Sequence, residues 1–242
     1  MRYFLELSFD GTPFHGWQIQ PNARSVQETI ETALSRLLAY PTQITGAGRT
    51  DTGVHAQQMF AHFDVETPLP DISKFLVSLN SIVGKDIYIK NVIKVPEDVH
   101  ARFDASERTY KYFISTSKNP FLKDLYWKSP TSLDFDKMNQ AASMLLGVSD
   151  FTSFAKLHSD SKTNICDVRK AIWHPINKDV EAFNFLGNLN DGAVFTISAD
   201  RFLRNMVRAI VGTLIEVGRG KLSIDGFENV IKEKNRDRKS VV

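Results

Sequence analysis

An α+β fold built from two similar halves is what the apolar patterning of this chain predicts. Three observations carry that expectation. Strand-like alternation opens each half, at residues 3–9 and again at 109–116. A stripe of apolar residues at helical spacing follows each opening strand. Paired strand runs then precede a further helical stretch in both halves. In order, residues 3–9 read as a strand and Asp10-Gly11-Thr12-Pro13 as a turn. Ser25, with Glu28 three residues on, forms a capping box. Val26, Ile30, Ala33, Leu34 and Leu37 supply the buried stripe of the helix that it starts. Strands at 42–48 and 54–64, a helix at 71–82 and a strand at 87–95 stopped by Pro96 complete the first half.

The second half repeats this grammar loosely. Tyr110, Tyr112 and Ile114 share one face of the strand at 109–116. A helix at 135–146 opens after Asp134, and strands follow at 165–175, 180–188 and 192–199. An amphipathic helix is expected from Phe202 to Glu216 with Asp200 as N-cap, and a last helix at 222–233. Two β-α-β-β-α-β-like units of the ferredoxin-like or RRM-like kind give a mainly antiparallel sheet with helices on one side and a central cleft suited to chemistry. The expected boundaries are 1–101 for the half bearing the Gly-rich loop and 102–242 for the other.

With 242 residues, 42% apolar and 24% charged, the composition is that of an ordinary globular protein. No apolar run reaches the ~18 residues of a membrane span. The first residues carry no signal-peptide cleavage site, and the single cysteine, Cys166, excludes an internal disulfide framework. A cytoplasmic location is expected. Thirty Lys and Arg against 28 Asp and Glu leave a net charge of +2, which argues for no partner. Clusters say more: Arg102, Arg108 and Lys111; Arg201, Arg204 and Arg208; Arg219 and Lys221.

The densest chemistry lies in Gly46-Ala47-Gly48-Arg49-Thr50-Asp51-Thr52-Gly53-Val54-His55-Ala56. Gly48 and Gly53 can adopt backbone angles closed to other residues, so the loop can lift Asp51 out of the sheet beside Arg49. A carboxylate so presented suits a reaction centre, although for such a loop taken by itself a hairpin whose Asp only stabilises the turn is the commoner explanation. Asp51-Thr52-Gly53 is also the triplet of aspartic proteases, but those need two such carboxylates sharing a proton, and the chain has one. Farther on, Arg208 is expected to be partly buried, because a nearly all-apolar stretch follows it directly.

Several of these stretches together resemble the TruA-type tRNA pseudouridine synthases. Gly48-Arg49-Thr50-Asp51-Thr52-Gly53-Val54-His55-Ala56 is similar to that family's active-site signature, where Ala is usual at position 52. Asp10-Gly11, Phe14, Gly16-Trp17-Gln18, Gln20 and Ser25-Val26-Gln27 resemble its first strand, loop and helix. Arg108-Thr109-Tyr110-Lys111-Tyr112 looks like its tyrosine-bearing strand, and Asp150-Phe151-Thr152-Ser153-Phe154 like its mid-chain motif. The run from Phe202 to Leu214 resembles its late helix. Members usually end in a small-residue loop and a last apolar strand. This chain ends in the basic Lys234-Asn235-Arg236-Asp237-Arg238-Lys239-Ser240-Val241-Val242, so a truncated or artefactual end is expected, with an unpaired sheet edge.

The resemblance implies isomerisation of uridine to pseudouridine at positions 38, 39 and 40 of the tRNA anticodon stem-loop, by a homodimer. It implies no cofactor and no metal, since no redox step occurs, and the chain has no GxGxxG, no P-loop and no His or Cys pair at ligand spacing. Asp51 corresponds to the catalytic aspartate, able to act as nucleophile or proton acceptor. Arg208 is implied to pair with it and hold it ionised. Tyr110 corresponds to the tyrosine that stacks on the flipped uracil, although a core aromatic on a strand reads the same way. Arg49 either holds the RNA backbone, fills the space left by the flipped nucleotide, or makes a salt bridge that shapes the loop. His55 is expected to pack between loop and strand.

Overall fold

The computed structural model describes residues 1–156, 163–176 and 192–234, in two units, Met1–Ser106 and Glu107–Val242. The first unit runs β1 (Arg2–Phe9), α1 (Val26–Leu38), β2 (Thr45–Gly46), β3 (Ala56–Asp64), α2 (Ile72–Val83) and β4 (Ile87–Val95). Its sheet has the order β2-β3-β1-β4, and every neighbouring pair is antiparallel. Alternation along β1 buries Tyr3, Leu5, Leu7 and Phe9, and the stripe Val26, Ile30, Ala33 and Leu34 of α1 is buried in the same cluster. Helix α1 begins as the sequence predicts, with Ser25 Oγ accepting from the Glu28 amide at 3.2 Å. Asp71 caps α2 in the same way, through the Lys74 amide at 3.0 Å.

The strand expected at 42–48 shrinks to two residues for a visible reason. Side chains of α1 take the backbone groups that a ladder would use: Ile44 donates to Glu31 Oε1 at 2.9 Å, and its carbonyl accepts from Gln27 Nε2 at 3.3 Å. The Thr42 amide likewise donates to Ser35 Oγ.

The second unit runs β5 (Arg108–Ser115), β6 (Trp127–Lys128), α3 (Phe135–Ser143), two 3-10 turns at Met144–Gly147 and Thr152–Phe154, β7 (Val168–Pro175), β8 (Ala193–Ala199), α4 (Met206–Gly218) and α5 (Ile224–Glu233). The sheet order is β6-β5-β8-β7, with β5, β8 and β7 antiparallel and the short β6 parallel to β5. Its core gathers Phe151, Phe154, Trp173, Phe195, Met206, Ile210, Leu214 and Phe227. The mid-chain motif serves this core. Asp150 accepts from the Thr152 amide and hydroxyl at 3.0 and 2.6 Å, and the turn so fixed buries Phe151 and Phe154. The expected strand at 180–188 and the basic end beyond Lys234 lie outside the described residues.

Helix α4 starts four residues later than the sequence predicts, and Asp200 is not its cap. Asp200 Oδ1 accepts instead from the amides of Asp167 and Arg201, at 2.7 and 2.8 Å, which binds the end of β8 to the entry of β7. The residue before the helix is Asn205, left-handed at φ 69° with no side-chain cap. Among the described residues no helix is long and apolar enough to cross a membrane.

Candidate active site

Residues 47–55 connect β2 to β3, and the segment 10–17 that follows β1 lies along them. Three hydrogen bonds join the two. The Trp17 amide donates to Thr50 O at 3.1 Å, the Gly53 amide to Phe14 O at 3.4 Å, and the Gly11 amide to His55 Nδ1 at 3.2 Å. Contact is close enough to dictate glycine. A Cβ on Gly11 would overlap the Val54 carbonyl oxygen, and one on Gly16 the Thr50 carbonyl oxygen, with Gly16 also at φ +90°. A Cβ on Gly46 would come within 2.5 Å of the buried Trp17 ring. The loop is therefore held by backbone contact, a stiff support for a reacting side chain.

On this support Asp51 is half-buried, Arg49 and Thr52 are exposed, and the Val54 amide closes a turn on Asp51 O at 3.2 Å. Gly53 takes the left-handed angle expected of it, φ +75°, whereas Gly48 does not. Gly48 has nothing within 4 Å of where its Cβ would stand, so it opens space beside Arg49 rather than bending the chain. The Thr50 hydroxyl is buried with no hydrogen-bond partner among the described residues, a local cost of about 1–3 kcal/mol carried next to Asp51.

His55 does hold loop to strand. Its Nδ1 lies 3.0 Å from Asp10 Oδ1 and 3.2 Å from the Gly11 amide. A ring nitrogen accepts from an amide only when unprotonated and donates to a carboxylate only when protonated, so Nδ1 of His55 serves one of these two groups at a time. Burial works to raise the Asp10 pKa, but the hydrogen bonds from Thr12 and the nearby His55 outweigh it and hold the carboxyl below its usual value.

In the second unit, β5 carries Tyr110, half-buried against the core with its ring edge-on to Phe202 at 5.1 Å. Burial pushes the neighbouring Tyr112 hydroxyl up, and the charge of Arg208 opposes that shift. Arg208 itself is the third residue of α4 and is exposed, which corrects the expectation of partial burial. The late helical start explains it. Arg201 and Arg204 precede the helix, so they share no helical sector with Arg208, and the apolar stretch after Arg208 turns its own face inward. Thus the loop of the first unit brings Arg49 and Asp51 together, and the second unit brings Tyr110, Tyr112 and Arg208 to β5 and the start of α4. Gly11 and Gly16 were legible as a motif without a role. Two glycines around a buried Phe14, between a strand and a capped helix, are the signal of close chain approach.

Among the described residues no group of His, Cys, Asp and Glu could hold a metal ion. A clamped loop carrying one carboxylate and one guanidinium, in the first of two α+β units, is an arrangement suited to an enzyme. Residues 7–104 and 141–242 match the family model for tRNA pseudouridine synthase, and the chain belongs to that family of isomerases. It is 52% identical to the tRNA pseudouridine synthase A of Parabacteroides distasonis, over 97% of this chain and 88% of that protein. Identity is 36% to the protein of that name from Caldicellulosiruptor bescii, over 97% and 91%, and 35% to that of Bacillus pumilus, over 98% and 92%.

Proposed function

We propose that this chain converts uridine to pseudouridine at positions 38, 39 and 40 of the tRNA anticodon stem-loop, as a cytoplasmic homodimer without metal or cofactor. Asp51 is the catalytic carboxylate. The glycosidic bond from ribose C1′ to uracil N1 breaks, the base turns, and C5 bonds to the same carbon; the C5 proton goes to solvent and N1 takes one up, so the composition is unchanged. Tyr110 stacks on the uracil drawn out of the helix, an aromatic contact worth about 1–3 kcal/mol per base. Arg208 supplies the positive charge that pairs with the Asp51 carboxylate, and Arg49 grips the adjoining RNA backbone.

The observation that carries this reading is the clamp on residues 47–55, which spends two obligate glycine contacts on fixing the segment around Asp51. A support of that kind is needed by a reacting group and not by a surface turn. Arg208 adds to it. A cation in the first turn of a helix opposes the helix dipole, and local rules are broken where function requires it. Tritium release from tRNA labelled at uracil C5 tests the proposal. Asp51→Ala is expected to abolish release while tRNA binding persists, and release that survives the substitution removes Asp51 from its role. Mapping pseudouridine in the product tRNA checks positions 38–40, and sedimentation checks the dimer.

A further inference from the structure

Beside the Asp51 loop lies a pocket of about 180 Å³, whose lining includes Trp17, Gln27, Thr45, Gly48, Arg49 and Arg102. Among the described residues that line it there is no carboxylate. Two guanidiniums from distant parts of the sequence thus meet one cavity, and Gly48 leaves bare backbone at its wall. Arg102 comes from a turn after β4 in which four backbone amides, those of residues 100 to 103, donate to side chains. The His100 amide donates to Asp104 Oδ2 at 2.6 Å, and the Asp104 amide returns to His100 O at 3.0 Å. The amides of Arg102 and Phe103 both donate to His100 Nδ1, at 3.1 and 3.3 Å, and that of the buried Ala101 donates to His62 Nδ1 at 3.2 Å.

This tied turn holds two side chains outward. Phe103 is 75% exposed, with one face stacked on the His100 ring at 4.2 Å and the Arg102 guanidinium 6.0 Å from its centre. His100 in turn rests edge-on against His62 at 4.6 Å. An aromatic ring backed by a second ring, beside a cation that shares a pocket with a second guanidinium, matches a phosphodiester and its unpaired base.

We propose that this pocket and turn form a subsite for the RNA strand flanking the reacting uridine, in which Arg102 joins Arg49 on a phosphate and Phe103 stacks on a neighbouring base. The subsite rests on the reading of this chain as an enzyme acting on tRNA. Full-length Arg102→Gln and Phe103→Ala proteins, titrated with tRNA over a series of salt concentrations, test it. Losing one phosphate contact lowers the slope of log affinity against log salt by about 0.7–0.9, so Arg102→Gln is expected to show that change. Phe103→Ala is expected to bind about ten-fold more weakly with the slope unaltered. In turnover, both losses fall on KM.

Both side chains are exposed, and thermal unfolding of each variant verifies that the fold is kept. Wild-type affinity and slope in both variants would overturn the subsite. So would a shift of oligomeric state in Phe103→Ala without loss of affinity, which would assign the ring to a contact between protein copies. If the wild-type chain neither binds tRNA nor releases tritium, the functional reading itself has failed.

Discussion

Helix α1 of the first unit and helix α4 of the second begin in opposite ways. Before α1, Ser25 is extended and its hydroxyl caps the Glu28 amide, with that glutamate in the first turn. Before α4, Asn205 is left-handed with no side-chain cap, no acid stands in the first turn, and Arg208 does. The first arrangement follows every rule of helix stability and the second breaks several of them. The sheets differ in parallel fashion. Beside β1 lies the nine-residue antiparallel β4, and beside the corresponding β5 lies the two-residue parallel β6. The lesson is that the same succession of elements can be spent differently. In the first unit, regular elements frame one clamped loop, whereas in the second the departures sit on the elements that carry Tyr110 and Arg208.

The sharpest way to break this comparison is through the two cores, which share no buried residue. Phe63 in the first lies between Tyr3 and Phe75, with ring centroids at 5.8 and 6.3 Å. Phe154 in the second lies between Phe151 and Phe227, both at 6.3 Å. Truncating a buried Phe to Ala costs about 3–5 kcal/mol. Phe63→Ala is expected to destabilise the first unit and Phe154→Ala the second. Amide hydrogen exchange resolved along the chain would show protection falling in one unit per variant. Protection lost equally in both would mean that the cores unfold as one.

Next in size is the loop clamp. Gly16→Ala places a methyl group against the Thr50 carbonyl at a backbone angle that alanine resists. Displacing a catalytic group by ~1 Å can cost on the order of 100-fold in rate. Tritium release is expected to fall by about that factor with the circular dichroism spectrum retained. Full activity in Gly16→Ala would show that the clamp does not position Asp51.

A smaller effect distinguishes the units by pH. His62 is buried and its pKa is pushed down, by loss of solvation first and then by the charges of Arg2 and His100, against Asp64. Its Nδ1 accepts from the Ala101 amide, which requires the unprotonated nitrogen. The unfolded chain therefore binds this proton more readily than the folded one. The contribution of His62 is full above the ordinary histidine pKa of about 6.5 and is lost as pH falls toward the lowered folded value. Acidification is expected to speed exchange of the Ala101 amide, and His62→Gln to flatten the pH dependence of stability in the first unit. An Ala101 exchange rate that follows only the intrinsic pH dependence would remove this device.

Much of the framework was legible in the sequence because it depends on local chemistry. Ser25 and Asp134 cap the helices their spacing announces, through the Glu28 and Lys137 amides. The alternation of residues 3–9 reappears as the buried face of β1. What sequence could not show depended on distant partners. Residues 42–48 read as a strand leading into the Gly-rich loop, but Glu31 and Gln27 claim the backbone of Ile44. Asp200 looks like a cap until the Asp167 amide, far upstream, is seen to use it. The candidate site divides in the same manner. Asp51 and Arg49 drew attention through the glycines around them and took implied roles only from the family resemblance, while the contacts of Gly11, Gly16 and Arg102 involve neighbours remote in the chain.

The finest test returns to the two helix starts. Ser25→Ala removes a satisfied cap and is expected to cost about 1 kcal/mol. Arg208→Glu does the reverse, because a carboxylate in the first turn of α4 complements the helix dipole and the uncapped amides there, worth about 0.3–1 kcal/mol. Urea denaturation should therefore show Ser25→Ala less stable and Arg208→Glu slightly more stable than the parent. Tritium release should show the opposite ranking, with Ser25→Ala nearly unaffected and Arg208→Glu severely impaired. A gain in stability joined to a loss of activity is the mark of a residue kept for its work rather than for the fold. If Arg208→Glu instead lost stability and kept activity, the exposed guanidinium would belong to the architecture of the second unit, and the contrast between the two helices would carry no functional meaning.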